Sequence, residues 1–407
     1  MVTSRGNRLA LAALGLAAFV VGTSELVVVG ILDPIARDAG VSISTAGTLV
    51  TAYALGVAVG GPAMTALTAR FDRRLMLRAA LAAYVAGNLL TAVTSSFGVL
   101  VVSRATTGTV HGLFIGVATV AAAGLAEHGH EGRAISMVFG GIAISTVAGV
   151  PLGTLIGQAF GWQATFVAIV IVGGVALALV LGSVPRVEAK GDGRLVGEAR
   201  SALTFPVLAI LGIGFLVIGG QFTALTYLAP FLDQVTGVSG GAISAFLLAY
   251  GVATAAGAFA SGRAADRSAS GTLIAANAAL VVMLAALYGV GPVPALTALA
   301  LVGWGLVGFG LVSTAIQLRV IALAGEGGDL AASLGASAAN AGIAVGALVG
   351  GQIVADVGIR EVALVGALIL LLSLPVTIAA RALRPSTREG EAAVRQGEAA
   401  RAEQGAL

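Results

Sequence analysis

The stretch V-G-T-S-E-L-V-V-V-G-I-L-D-P, Val21 to Pro34, decides how the whole chain is read. It closes an apolar run that begins at Leu9, and Glu25 sits inside that run. A carboxylate at such depth is expensive in lipid, so it is read as a functional group facing protein or a water-filled cavity. The competing reading is a structural Glu at a helix end, satisfied by water. Roughly 10 Å of apolar helix still separates Glu25 from Leu32, which favours the first reading.

The composition around that stretch belongs to a membrane protein. Of 407 residues, 58% are hydrophobic, 10% are charged and 59 are Gly. The mean hydropathy is +1.01. A soluble domain carries about 25% charged residues. The net charge of +3 does not point to nucleic acid, because the Lys and Arg lie almost entirely between apolar runs. There they set topology. The absence of Cys excludes disulfides and thiol chemistry. Arg5 and Arg8 before an apolar run resemble a signal peptide. The run to Leu32 is longer than the usual h-region of about 7–15 residues and holds Glu25, so it is read as a retained first span.

A span needs about 20 largely apolar residues. Twelve stretches qualify: 9–32, 45–67, 75–95, 98–124, 134–158, 163–184, 205–231, 240–262, 270–290, 293–318, 330–355 and 361–381. The pattern predicts an all-α polytopic protein with a first bundle over 1–184, a cytoplasmic linker over 185–204, a second bundle over 205–383 and a disordered tail over 384–407. The linker carries Arg186, Lys190, Arg194 and Arg200. With both termini cytoplasmic, the inner side also collects Arg5, Arg8, Arg70, Arg73, Arg74, Arg78, Arg133, Arg263, Arg267, Arg319, Arg381, Arg384 and Arg388, while Arg37 and Arg360 fall outside. The excess of inner cations fixes that orientation.

The two sets of six spans are related by an internal repeat. A shift of 196 takes Glu25 to Gln221 and Pro34 to Pro230. A shift of 197 takes Tyr53 to Tyr250, Gly60 to Gly257, Arg70 to Arg267, Ser136 to Ser333, Gly149 to Gly346 and Gly153 to Gly350. A parallel repeat places a substrate path between the halves near the bilayer midplane.

Only Glu25 and Arg104 are formal charges well inside spans. Both lie about 9–10 Å below the outer boundary, so they are candidates for a buried or water-bridged pair. The alternative for Arg104 is structural, bonding backbone carbonyls of neighbouring helices. His111 follows Arg104 by seven residues and shares its helical face, with Gly108 between them leaving room for a helix or a solute. Imidazole titrates near neutral pH, so His111 is either a proton relay or solute donor, or a satisfied core histidine. At the repeat's shift Arg104 meets Leu301 and His111 meets Gly308, so any proton chemistry belongs to the first half. Burial and a neighbouring guanidinium push a carboxyl in opposite senses, the balance that proton exchange requires. Gln221, Gln317 and Asn340 can bond a solute without titrating, and Tyr53 joins them as an expected cavity residue.

Three further segments carry the family resemblance. One is T-A-L-T-A-R-F-D-R-R after span 2, Thr65 to Arg74. Another is G-R-A-A-D-R after span 8, Gly262 to Arg267. The third is G-V-P-L-G in span 5, Gly149 to Gly153. Small residues let helices pack closely, and Pro151 frees a carbonyl and bends its helix. With G-T-S-E-L, D-P-I-A-R-D-A-G-V-S, A-G-T-L-V-T-A-Y-A-L-G, R-A-T-T-G-T-V-H-G-L-F and G-W-Q-A-T-F, the chain resembles the major facilitator superfamily from about Leu9 to Arg381. Within it, the chain is similar to twelve-span drug:proton antiporters of the arabinose-efflux-permease and sugar-efflux-like branch. The family's inner-loop signature, G-x-x-x-D-R-x-G-R-R, falls on Gly262, Asp266 and Arg267. In the first half Thr65 and Ala69 replace its Gly and Asp, and Arg70, Arg73 and Arg74 remain, which implies a weakened gate there. The span-4 arginine falls on Arg104 and the antiporter motif on Gly149, Pro151 and Gly153, with Val150 where the pattern has an earlier Pro.

The resemblance implies export of a drug or small metabolite, sugars included, from the cell through the inner membrane in exchange for protons, by a monomer without cofactors. Partners are the solute, protons and lipid, and not nucleic acid. A passive facilitator or proton-coupled importer is the alternative. An intramembrane enzyme would hold a catalytic or metal cluster in its spans. The chain has three His, and His128 and His130 sit with Glu127 and Glu131 in a loop read as a solvated turn.

Overall fold

The computed structural model describes residues 5–68, 70–126, 130–185 and 202–384. Most of the expected linker with its cations, the expected tail, Ala69, Glu127 and His128 lie outside the described residues. The first bundle comprises α1 (Arg5–Asp38), α2 (Ile43–Leu55), α3 (Gly61–Thr68), α4 (Arg73–Val93), α5 (Phe97–Leu125), α6 (Glu131–Ile144), α7 (Val150–Phe160) and α8 (Trp162–Ser183). The second comprises α9 (Phe205–Leu225), α10 (Leu228–Gln234), α11 (Gly241–Val290), α12 (Pro294–Val307), α13 (Phe309–Ala324), α14 (Gly328–Asp356) and α15 (Glu361–Ala379). No strand occurs among the described residues.

Among the described residues 11 helical rods are long and apolar enough to cross a bilayer. The rod α11 accounts for the difference from the twelve expected spans. Its 50 residues would stretch ~75 Å if straight, far beyond the ~30 Å of a hydrocarbon core. It breaks at Ser268, whose backbone is extended (φ −165°, ψ 99°). The Ser268 hydroxyl accepts from the Gly271 N–H at 3.0 Å, capping the returning helix. The two arms are the expected spans 240–262 and 270–290. Gly262, Asp266 and Arg267, read from sequence as a loop, are helical up to that break.

Proline bends two central helices, and each freed backbone group is accommodated. Pro34 has no N–H to give the Gly30 carbonyl, and α1 leaves helical geometry at Ile31 (φ −123°, ψ 18°). Gln158 Nε2 takes up the Gly30 carbonyl at 3.3 Å. Before Pro151 the chain widens into a π turn, Ser145–Gly149, which absorbs the register lost there. A second π turn, Gly56–Gly60, joins α2 to α3.

The glycines repeat their contacts as well as their positions. A Cβ on Gly108 would run into the Tyr53 backbone, and one on Gly305 into the Tyr250 backbone. Gly149 and Gly346 meet Thr23 and Gly219, and Gly153 and Gly350 meet Val27 and Thr223. Each pair is related by the shift of 196 or 197, so the two bundles are packed by one pattern. In lipid, such close approach supplies the dispersion that holds helices together.

Arginines close helix ends. Arg78 Nη2 donates to the Leu181 carbonyl at 2.5 Å, in the last turn of α8. Arg319 Nη2 donates to the carbonyls of Ala380 (3.0 Å) and Leu383 (3.2 Å), just past α15. Arg360 Nε donates to the Tyr288 carbonyl at 3.1 Å, in the last turn of α11. These carbonyls lie at or just beyond helix C-termini, at the negative end of each helix dipole, where few backbone N–H groups remain to meet them. The halves touch along α2 and α14: Thr51 Oγ1 donates to the Ala344 carbonyl at 3.3 Å, and Gly47 lies against the Tyr227 hydroxyl. Leu155 approaches Gly241, and Gly251 rests on Thr146. These contacts fall between mid-depth and the end bearing Arg37 and Arg360.

Candidate functional site

Four helices converge on one polar cluster in the first bundle. α1 supplies Ser24 and Glu25, α2 supplies Tyr53, α4 supplies Tyr84 and Asn88, and α5 supplies Arg104 and His111. Arg104 is 1% exposed and His111 is 6% exposed. The Glu25 side chain keeps 18% exposure, with its Oε2 3.8 Å from His111 Nδ1. The Glu25 side chain therefore keeps some accessible surface while its neighbours are closed in.

Arg104 does not form the expected pair with Glu25. Among the described residues no ion pair joins them. The guanidinium instead donates from Nη1 to the Ser24 carbonyl at 2.9 Å and from Nη2 to the Glu25 carbonyl at 3.2 Å. Nη1 also reaches Ser24 Oγ at 3.3 Å. Its plane lies over the Tyr53 ring, Cζ 4.0 Å from the centroid. A cation over an aromatic face gains further stabilisation where water is excluded. Equal depth along the helices left both readings of Arg104 open, and the guanidinium takes the second: it bonds the α1 backbone carbonyls and not the carboxylate.

A hydrogen-bond chain continues from there. Tyr53 Oη lies 3.0 Å from His111 Nδ1 and 2.9 Å from Tyr84 Oη. Tyr84 Oη donates to the Val21 carbonyl at 3.1 Å. Ser24 Oγ donates to Asn88 Oδ1 at 2.6 Å, and Asn88 Nδ2 donates to the Tyr84 carbonyl at 2.8 Å. Tyr84, Asn88 and Ser24 were missed by sequence reasoning. The signal for them was polarity inside the apolar spans 75–95 and 9–32, which a charge-led search passes over. Gly108, read as room for a helix or a solute, is occupied by the α2 backbone at Tyr53.

The other expected residues are dispersed. Gln221 is 2% exposed and internally satisfied: Trp304 Nε1 donates to its Oε1 at 3.2 Å, and its Nε2 reaches the Val217 carbonyl at 3.4 Å. Asn340 Nδ2 donates to the Ala336 carbonyl at 3.0 Å, leaving its buried Oδ1 without a partner. Gln317 is exposed on α13. A cavity between the halves is lined by Asp33, Arg37, Gln158 and Asp233. It lies at the Arg37 end, away from Tyr53, Gln221, Gln317 and Asn340. Gly149, Pro151 and Gly153 are buried, and the two glycines pack on Thr23 and Val27, either side of Glu25. Asp72, beside Arg73 and Arg74, caps α4 by accepting from the Leu75 N–H at 2.9 Å. Arg70 lies over Phe71, and Asp266 and Arg267 are exposed without an ion pair among the described residues. No group of residues suited to hold a metal occurs among the described residues.

Two pseudo-symmetric bundles of membrane-spanning helices, with a polar cluster inside the first, give the major facilitator fold of a polytopic membrane transporter. The model of the Major Facilitator Superfamily matches residues 14–334, and the chain belongs to that family. Members of this family are transporters, not enzymes. The chain is 34% identical over 379 residues to an uncharacterised MFS-type transporter, YtbD, of Bacillus subtilis (strain 168), covering 90% of this chain and 94% of that one. It is 33% identical to the inner membrane transport protein YdhP of Escherichia coli (strain K12), covering 93% and 97%. It is 30% identical to a probable sugar efflux transporter of Mannheimia succiniciproducens, covering 87% and 89%. Among solved structures, a bacterial homologue of the human lysosomal transporter Spinster, inward-facing and unoccupied, superposes with a TM-score of 0.72 at 14% identity, covering 93% of this chain and 98% of that one. The protein is thus a multi-pass protein of the cell membrane.

Proposed function

We propose that this transporter exports a small amphipathic molecule in exchange for protons, by rocking of its two halves about the central cluster. The observation that carries the reading is the Glu25 side chain, partly accessible and with Oε2 3.8 Å from His111 Nδ1, in one half only. Glu25 binds and releases the proton. His111 shares it, and Arg104 fixes the α1 backbone that carries the acid. The second half offers neutral groups alone: Asn340, whose Oδ1 has no protein partner among the described residues, and Gln317 as solute contacts, with Gln221 sealed by Trp304.

The inner gates of this reading are Arg70, Arg73 and Arg74 in one half and Gly262, Asp266 and Arg267 in the other. With the Arg-rich end and both termini placed in the cytoplasm, the contacts between α2 and α14 close the outer side. The sugar efflux relative supports a hydroxylated solute. A monomer suffices, because the two halves already supply both walls of the path.

The test is export from inverted vesicles with an imposed pH gradient, in wild type and Glu25→Gln. Gradient-driven accumulation is expected to vanish in the variant while exchange of solute for solute continues. Undiminished gradient-driven accumulation in Glu25→Gln overturns the reading. Wild-type flux that ignores the gradient would make the protein a passive facilitator.

A further inference from the structure

The hydroxyl chain beside Glu25 has a direction, because each link has one proton to give. Tyr84 Oη lies 3.1 Å from the Val21 carbonyl. A carbonyl oxygen only accepts, so the Tyr84 proton is used there. The 2.9 Å contact between the two phenols then closes only with Tyr53 as donor. Tyr53 has no second proton. Its remaining contact, 3.0 Å to His111 Nδ1, therefore needs the proton on the nitrogen.

We infer that Tyr84, acting through Tyr53, holds His111 in the tautomer protonated at Nδ1 and leaves Nε2 as a bare acceptor. The Val21 carbonyl anchors the sequence, since backbone cannot switch roles. The tautomer of a histidine is set by the bond its other nitrogen makes, and here that bond is fixed two residues away. Glu25 Oε2, 3.8 Å from the same Nδ1, favours a proton on that edge too. Arg104, the cation of the cluster, lies over the Tyr53 ring and donates to the α1 carbonyls, so it takes no acceptor from this chain. Tyr84 is thus a positioning residue: it hydrogen-bonds neither Glu25 nor His111 among the described residues, yet decides which nitrogen is free.

The free nitrogen has a use. Nε2 has no hydrogen-bond partner among the described residues, and the His111 side chain keeps 8% exposure. It can take an arriving proton or the O–H or N–H of a solute. That consequence rests on the proposed exchange of solute for protons. The tautomer itself does not.

The experiment is nuclear magnetic resonance of the full chain in lipid nanodiscs, isotope-labelled at the histidine nitrogens, with His128→Gln and His130→Gln so that His111 alone reports. One-bond nitrogen–proton coupling at neutral pH is expected on Nδ1 and absent from Nε2. In Tyr84→Phe the Tyr53 hydroxyl loses its acceptor and turns to donate to Nδ1, so the coupling is expected to move to Nε2. Coupling on Nε2 in the wild type, or on both nitrogens, overturns the assignment. A coupling that stays on Nδ1 in Tyr84→Phe overturns the control by Tyr84. The wild-type spectrum decides the tautomer even where the variant misfolds. A Nδ1 signal alongside undiminished gradient-driven export in Glu25→Gln would refute the exchange and leave the tautomer standing.

Discussion

Glu25 and Gln221 stand at matching places in the two halves, yet they meet different neighbours. In the first half the carboxylate faces His111, and Arg104 pins the carbonyls of Ser24 and Glu25. In the second half the position of His111 is Gly308, and a Cβ there would meet Gln221 Oε1 at 2.8 Å. The indole of Trp304 takes the amide oxygen and stacks edge-on against Tyr250, centroids 5.5 Å apart. One backbone plan thus carries a titratable site in one half and a sealed neutral one in the other. An ionisable group inside a membrane needs a partner or water. A neutral amide needs only its hydrogen bonds, and Gln221 already has them.

Five substitutions press on that difference. Glu25→Gln makes the first half resemble the second, and gradient-driven export is expected to fall to background. Arg104→Ala comes next. It strips the Ser24 and Glu25 carbonyls of a charged donor and is expected to destabilise the protein by about 2–3 kcal/mol. A thermal melt in detergent reads it, and an unchanged melt would show that the guanidinium is not a structural tie. The glycine contacts predict equal damage in both halves: Gly108→Val and Gly305→Val each push a side chain into a tyrosine backbone, at about 1–3 kcal/mol. A large asymmetry between the two melts would break the claim that one packing pattern serves both bundles. Trp304→Phe is the mildest. It removes the donor to Gln221 and is expected to cost about 1 kcal/mol, with proton coupling unchanged. Loss of coupling in Trp304→Phe would place the second half inside the proton path.

Much of the first half's site was legible before any coordinates, and its limits are instructive. Glu25, Arg104, His111 and Tyr53 are conspicuous because charge and rings are rare inside apolar runs. Tyr84, Asn88 and Ser24 were passed over because none of them carries a charge. Only the approach of α4 to α1 turns them outward to a shared purpose. The expected cavity residues Gln317 and Asn340 share no hydrogen bond with the first-half cluster among the described residues. Their polarity announced a polar contact but not with whom.

Chain alone determined the number of crossings, the repeat and the rarity of buried charge, because lipid forces every span to declare itself through some twenty apolar residues. Even the break at Ser268 was foreshadowed by the polar residues between two apolar runs. What tertiary structure decided was partnership. Spacing along one helix fixes depth and face, but a hydrogen bond needs two helices at a set distance and rotation. For that reason Arg104 went to the carbonyls of α1, and the histidine was left to the acid and the phenol.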